Sequence, residues 1–214
     1  MYQRASSGVG KDELLAATMG TSGGPTDWSP DGRFILYEQL DEKTGFDLWV
    51  FPLFGDPGPA GAVARKPTRF IQTEFDEGQA RFSPDGKWVA YASTESGRPE
   101  VYVQPFPASG GKWQISTGGG LLPMWRRDGK ELFYLVPGLG RLMSVEVKTA
   151  PQFEAGAPRL LFQAPVGLTH GMEAGSHYAV SADGQRFLLN LPIQDTTPSP
   201  ITVVLNWPAG LKKQ

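Results

Sequence analysis

Short apolar runs alternate with breaker-rich turns along most of the chain. Phe34-Ile35-Leu36-Tyr37, Trp88-Val89-Ala90-Tyr91, Leu132-Phe133-Tyr134 and Phe187-Leu188-Leu189 are apolar at consecutive positions. Strands of this kind are covered on both faces, as in a sheet stacked between two others. A second set follows: Asp47-Leu48-Trp49-Val50, Glu100-Val101-Tyr102-Val103, Arg141-Leu142-Met143-Ser144-Val145 and Ile201-Thr202-Val203-Val204-Leu205. Its β-branched and aromatic content predicts strands. A weaker set, Arg69-Phe70-Ile71, Trp113-Gln114-Ile115 and Leu160-Leu161-Phe162, predicts a further strand in three of the units. Lys11 to Met19 contains good helix formers, yet Glu13-Leu14-Leu15-Ala16 stands where such an outer strand stands in later units, so residues 12–17 are predicted as strand.

The first set of runs is announced by a repeated turn. Ser29-Pro30-Asp31-Gly32 recurs as Ser83-Pro84-Asp85-Gly86, then as Arg126-Arg127-Asp128-Gly129 and Ser181-Ala182-Asp183-Gly184. Ser, Pro and Gly at these positions suit a type I turn, and a following left-handed residue closes a hairpin through a bulge. An apolar residue precedes each turn: Trp28, Phe82, Trp125 and Val180. The four aspartates are 54, 43 and 55 residues apart, a spacing that fits propeller blades of ~40–50 residues with two insertions. The predicted fold is all-β, a β-propeller of about four blades at 22–73, 77–118, 121–165 and 175–207, with strand 12–17 belonging to a split or missing blade. The breaker-rich stretches Gly55–Gly61 and Thr196–Pro200 absorb the extra spacing. No domain boundary is evident.

Composition agrees: 27 Gly and 19 Pro among 214 residues demand frequent turns, while 11% aromatics and a net charge of −2 argue against disorder. A near-neutral chain lacks the field that draws in nucleic acid. The absence of Cys excludes disulfides, thiolate metal sites and Cys nucleophiles. No signal-like h-region opens the sequence, and Ile201–Leu211 is about half the ~20 residues of a membrane span.

Catalytic and metal signals are weak. Gly20-Thr21-Ser22-Gly23-Gly24 matches G-x-S-x-G, but Pro25 and Asp27-Trp28 follow where a helix is needed. His170 and His177, with Glu173 between them, match no zinc spacing. Asp41-Glu42 and Asp76-Glu77 are sequence neighbours whose side chains point to opposite faces in a strand, so neither pair makes an acid/base dyad. The repeated Asp31, Asp85, Asp128 and Asp183 fit turn hydrogen bonding, since no EF-hand spacing is present. Trp and Tyr at blade positions are expected in the core. No catalytic, metal or cofactor site is expected.

Taken together, Asp27-Trp28-Ser29-Pro30-Asp31-Gly32 and Asp47-Leu48-Trp49-Val50 resemble the WD40-like repeats of TolB-type β-propellers, over residues 11–207. Gly118-Gly119-Gly120 leading into Trp125–Tyr134, and the ending Val203–Lys212, are similar to the C-terminal propeller of bacterial membrane-linked Ser/Thr protein kinases. No kinase signature is present. The repeats also resemble the gating propeller of prolyl-oligopeptidase-type peptidases. The resemblance implies a non-catalytic module that binds a protein, peptide or small ligand, in a periplasmic or extracytoplasmic setting. By analogy with propellers generally, the loops free to recognise a partner carry Asp76, Glu77, Gln79, Lys43, Arg98, His170, Glu173 and His177. Four blades in an open arc would leave apolar end faces open to self-association. Residues 13–16 pairing with 201–205, two chains sharing a ring, or further blades in a longer chain would each cover them, and the resemblance favours the last.

Overall fold

A computed structural model describes residues 1–15, 22–54, 66–150, 152–164 and 178–191. The expectations for His170, Glu173, His177, the strand at 201–205, the loops at 55–61 and 196–200 and the ending at 203–212 lie outside the described residues.

All described elements are strands and turns. An N-terminal pair, β1 (Tyr2–Gln3) and β2 (Glu13–Leu14), is antiparallel. The first large sheet runs in the order β3 (Gly23–Trp28), β4 (Phe34–Asp41), β5 (Gly45–Pro52) and β6 (Thr68–Ile71). The second repeats it with β7 (Glu77–Phe82), β8 (Trp88–Ser93), β9 (Glu100–Pro105) and β10 (Trp113–Gln114). In the third, β11 (Leu121–Trp125), β12 (Glu131–Val136) and β13 (Arg141–Lys148) are followed by β14 (Glu154–Ala155) and β15 (Arg159–Gln163), both paired with β13. The last described sheet is the hairpin of β16 (Tyr178–Val180) and β17 (Phe187–Leu189). Gly23 and Gly24 open strand β3, so the strand-then-helix setting of a nucleophile elbow is not present among the described residues.

Alternation along the second strands explains the stacking. Leu36 faces the following sheet and packs with Leu48 and Val50 against Ala80, Phe82 and Tyr91. Ala90, Val101 and Val103 meet Trp125, Leu132 and Tyr134 in the next joint. Phe133, Leu135 and Leu142 meet Tyr178, with Val180 and Phe187 alongside. Each run is therefore apolar at consecutive positions because its neighbouring residues serve two different cores. The backward face of the first sheet, with Ile35, Tyr37, Phe51 and Leu53, is covered by Met1 and Leu15 of the N-terminal pair.

In all four turns the Asp carboxylate accepts the amide two residues on, and three of the four add a Ser hydroxyl. Ser29 Oγ donates to Asp31 Oδ1 (2.6 Å) and accepts from the amide of Phe34 (2.8 Å), while Asp31 accepts from the amide of Arg33 (3.0 Å). Ser83 with Asp85, and Ser181 with Asp183, repeat it. In the third turn, Arg126 replaces Ser and clamps both oxygens of Asp128 (2.7 and 2.9 Å). The turn aspartates are thus structural. Ser83→Ala removes a buried hydroxyl that satisfies the Trp88 amide, so chemical denaturation should show a loss of about 1–2 kcal/mol.

Turn glycines have φ of 74°, 70°, 72° and 71° at Gly32, Gly86, Gly129 and Gly184. Three of them also receive the preceding turn: a Cβ at Gly86 would stand 3.7 Å from Pro30, one at Gly129 3.8 Å from Pro84, and one at Gly184 would collide with Arg126. Trp28 departs from the expectation that blade aromatics are core, because it is 51% exposed. Its counterparts Phe82 and Trp125 are buried by a preceding sheet, whereas the short N-terminal pair before β3 packs on β4 and β5 through Met1 and Leu15 and makes no core contact with Trp28.

Candidate functional site

One end of the arc gathers the β4–β5 and β8–β9 turns together with the connections that enter β7 and β11. Antiparallel order fixes this, since alternate connections must emerge at the same end. The loops are pinned from beneath by buried acids. Asp76 Oδ1 accepts from the Phe46 amide (2.9 Å), and its own amide donates to Thr94 Oγ1 (3.0 Å), tying three connections together. Gly45, at φ 83°, leaves the space that the Asp76 carboxylate occupies.

Beneath the β8–β9 turn, Glu100 is buried and fully engaged. It accepts from Arg98 Nε (2.8 Å), the Gly119 amide (2.9 Å) and Ser116 Oγ. Ser116 Oγ accepts in turn from the Val101 amide (2.8 Å), and Arg98 Nη2 donates to the Thr117 carbonyl (2.6 Å). The Gly118–Gly120 run wraps this carboxylate.

The equivalent position one sheet earlier is Asp47, and it has no such cation. Asp47 Oδ2 accepts from Thr44 Oγ1 (2.9 Å) and Gln72 Nε2 (3.1 Å), while Oδ1 is buried without a partner. Glu77 mirrors it: Oε1 accepts from Thr73 Oγ1 and Ser93 Oγ, and Oε2 is buried without a partner. Burial pushes the Glu77 carboxyl up to about 7, with the negative charge of Asp47 adding to the rise. Burial also raises Asp47, against the hydrogen bond from Thr44.

Inside the arc, a ladder of hydrogen bonds joins the innermost strands. Gln79 and Leu122 sit at bulges with φ of 58° and 55°. The Gln79 amide donates to Glu38 Oε2 (2.9 Å), the Leu122 amide to Gln79 Oε1 (2.7 Å), and Tyr178 Oη to the Leu122 carbonyl (2.8 Å). Asp27 accepts from the Phe82 amide (2.8 Å) and lies 3.9 Å from Arg81. Burial raises the carboxyls of both Asp27 and Glu38.

The expected recognition residues divide accordingly. Lys43 is exposed on the β4–β5 turn, and Arg98 has an exposed side chain whose guanidinium is held by Glu100 and Thr117. Asp76 is a half-buried loop tie. Glu77 and Gln79 are corrected: Glu77 is 1% exposed and Gln79 is buried, because β7 begins at Glu77 and lies across the first sheet instead of forming a loop. Asp47 and Glu100 were missed, although both open the second set of runs as an acid followed by an apolar strand. Elsewhere a groove beside the third sheet is lined by Arg126, Lys130, Glu131, Lys148, Glu154 and Arg159. Ion pairs Arg126–Glu131, Arg159–Glu131 and Lys148–Glu154 largely neutralise it. Among the described residues no group of three or more His, Asp or Glu could hold a metal, and no helix is long and apolar enough to cross a membrane.

Antiparallel sheets stacked through successive innermost strands give the described residues a β-propeller fold. No protein-family model matches the chain. It is similar to TolB from Acinetobacter baumannii, with a TM-score of 0.60 and 20% identity over 86% of this chain and 40% of that one. It is also similar to a putative 6-phosphogluconolactonase from Bacteroides uniformis, with a TM-score of 0.54 and 15% identity over 89% of this chain and 56% of that one. In sequence it is 28% identical over 141 residues to Tricorn protease homolog 1 of Streptomyces coelicolor, covering 64% of this chain and 12% of that protein. The chain thus spans less than two thirds of each.

Proposed function

We propose that the chain is a non-catalytic propeller module that binds a protein or peptide at its pinned loop end. The observation that carries this is the Asp76, Glu100 and Ser116 network, which holds the loops to buried strands and leaves Lys43 and Arg98 outermost. Loops held in one conformation lose little entropy on binding. Lys43 is an exposed cation here with Glu42 and Glu74 exposed on the same end, and Arg98 is already paired with Glu100, so the shape of the pinned loops rather than their net charge selects the partner. The resemblance of residues 118–134 to kinase-linked propellers supports a sensor role in an extracytoplasmic setting, within a single propeller domain or propeller fragment spanning residues 1–214.

Peptides selected from a random display library on the immobilised chain provide the test. Binders should share a common motif, and Lys43→Ala with Arg98→Ala should weaken them at least about tenfold. Lys87→Ala, on the opposite end, should leave them unchanged. Equal loss at both ends, or binders with no shared motif, would count against the reading.

A second reading is a gating propeller of a larger peptidase. The similarity to Tricorn protease homolog 1 is the observation in its favour. A strand–G-x-S-x-G–helix segment in adjoining sequence would decide for it.

A further inference from the structure

The repeat supplies its own control for a buried acid. Asp47 on β5 and Glu100 on β9 hold the same place, paired with Gln39 and Ser93 on the strands before them. Both are buried, at 0% and 1% exposure. Glu100 receives a cation from the chain, Arg98 Nε at 2.8 Å, together with an amide and a hydroxyl. Asp47 receives only the neutral donors of Thr44 and Gln72, and a second buried acid, Glu77, stands beside it.

The two acids are neighbours across the first joint. The Phe46 amide donates to Asp76 Oδ1 (2.9 Å), which sets β5 against the start of β7, and the successive residues Gln72 and Thr73 reach one acid each. The negative charge of Asp47 acts on Glu77 across this gap. Asp47 Oδ1 and Glu77 Oε2 are both buried without a hydrogen-bond partner. Carboxylate oxygens withdrawn from water and left unpaired are costly. The guanidinium that acts on Asp47, Arg69, is already shared between Asp41 (3.9 Å) and the ring of Trp49 (5.0 Å).

We propose that Asp47 and Glu77 hold a calcium ion between the first and second sheets, each through the oxygen that has no partner in the chain. The surrounding donors are all hard: two carboxylates, the hydroxyls of Thr44, Thr73 and Ser93, and the side-chain amide of Gln72. Such a set suits calcium or magnesium, whereas transition metals favour imidazole or thiolate. Calcium accepts roughly six to eight oxygens in irregular arrangements, while magnesium keeps several waters. Both free oxygens here are shut off from solvent, which favours calcium. Two carboxylates balance its charge. Thr44, Gln72 and Thr73 are half-buried, so the site lies one side chain beneath the surface. A bound ion ties the β4–β5 turn to the innermost strand β7, the service that Arg98 performs for Glu100 in the second sheet. The inference holds whatever the loop end binds.

The test is urea unfolding of the full chain at pH 8, first in EDTA and then with calcium chloride, with circular dichroism to verify folding. Calcium should raise the wild-type midpoint saturably, with a Kd on the order of 10⁻⁴ to 10⁻³ M, and magnesium should do much less. Asp47→Asn and Glu77→Gln, neutral and nearly isosteric, should each lose at least about tenfold in calcium affinity. Glu74→Gln removes an exposed acid from the same end and should keep the wild-type response. In EDTA, Glu77→Gln should be more stable than wild type, and saturating calcium should narrow that lead. A wild-type midpoint that calcium does not move would overturn the proposal. So would an equal shift with magnesium, or an undiminished calcium response in Asp47→Asn and Glu77→Gln.

Discussion

Glu100→Ala is expected to lower the unfolding free energy by about 2–4 kcal/mol, the cost of leaving a buried amide and a buried hydroxyl without their acceptor. The side chain is 1% exposed and collects a guanidinium, a backbone amide and a hydroxyl. Truncation leaves the Gly119 amide and Ser116 hydroxyl without an acceptor in a site water does not reach, and it frees Arg98 from one of its two anchors. Two consequences separate this from simple loss of packing. Glu100→Gln keeps an acceptor oxygen and should cost less than half as much, and Arg98→Ala should cost much less than Glu100→Ala because its head is partly solvated. Urea titrations of the three variants would settle the order. Equal losses would show that the carboxylate charge is not what organises the turn.

Stability should fall as pH rises from about 4.5 to about 7, by up to about 3 kcal/mol from Glu77 alone. The sign follows from where the proton sits. The folded chain holds it up to about 7, while the unfolded carboxyl loses it near 4.5, so through that window the unfolded state gains by releasing it. Protonated, Glu77 carries no charge into this buried site, where Oε2 has no donor to stabilise an ionised carboxylate. Ionised, it is a second buried negative charge near Asp47, whose own carboxyl burial also raises. Glu77→Gln stays neutral at every pH, so it should be more stable than wild type at pH 8 and differ little at pH 5. Parallel profiles for the two proteins would overturn the assignment. Asp31, Asp41, Asp128 and Asp183 do not blur the window: their hydrogen bonds lower them, so their contribution is lost only at more acid pH.

Strands and turns were legible because each Ser-Pro-Asp-Gly copy fixes a hairpin locally and the flanking runs are apolar on both faces. The outer strands at residues 68–71, 113–114 and 159–163 were found by the same position in the repeat. What could not be read was side-chain direction at strand ends. Glu77 and Gln79 look like loop residues in sequence, but the innermost strand lies across the preceding sheet, so acids at its start turn inward. Trp28 fails in the opposite sense. Its repeat position promises burial, and burial depends on a sheet that no local pattern encodes. Lys43 came out exposed as anticipated because a tight turn tip leaves little else for a lysine to do.

The nesting of Pro30 at Gly86, Pro84 at Gly129 and Arg126 at Gly184 makes each turn the seat of the one before it. Cooperativity in such an array passes only between nearest neighbours, as in a one-dimensional lattice. Among the described sheets, the second and third have a seated turn on both sides, and the first and last have one. Melting therefore begins at the two outer sheets and moves inward, which makes the Trp28 and Leu188 surfaces the first to loosen and the Glu100 turn the last.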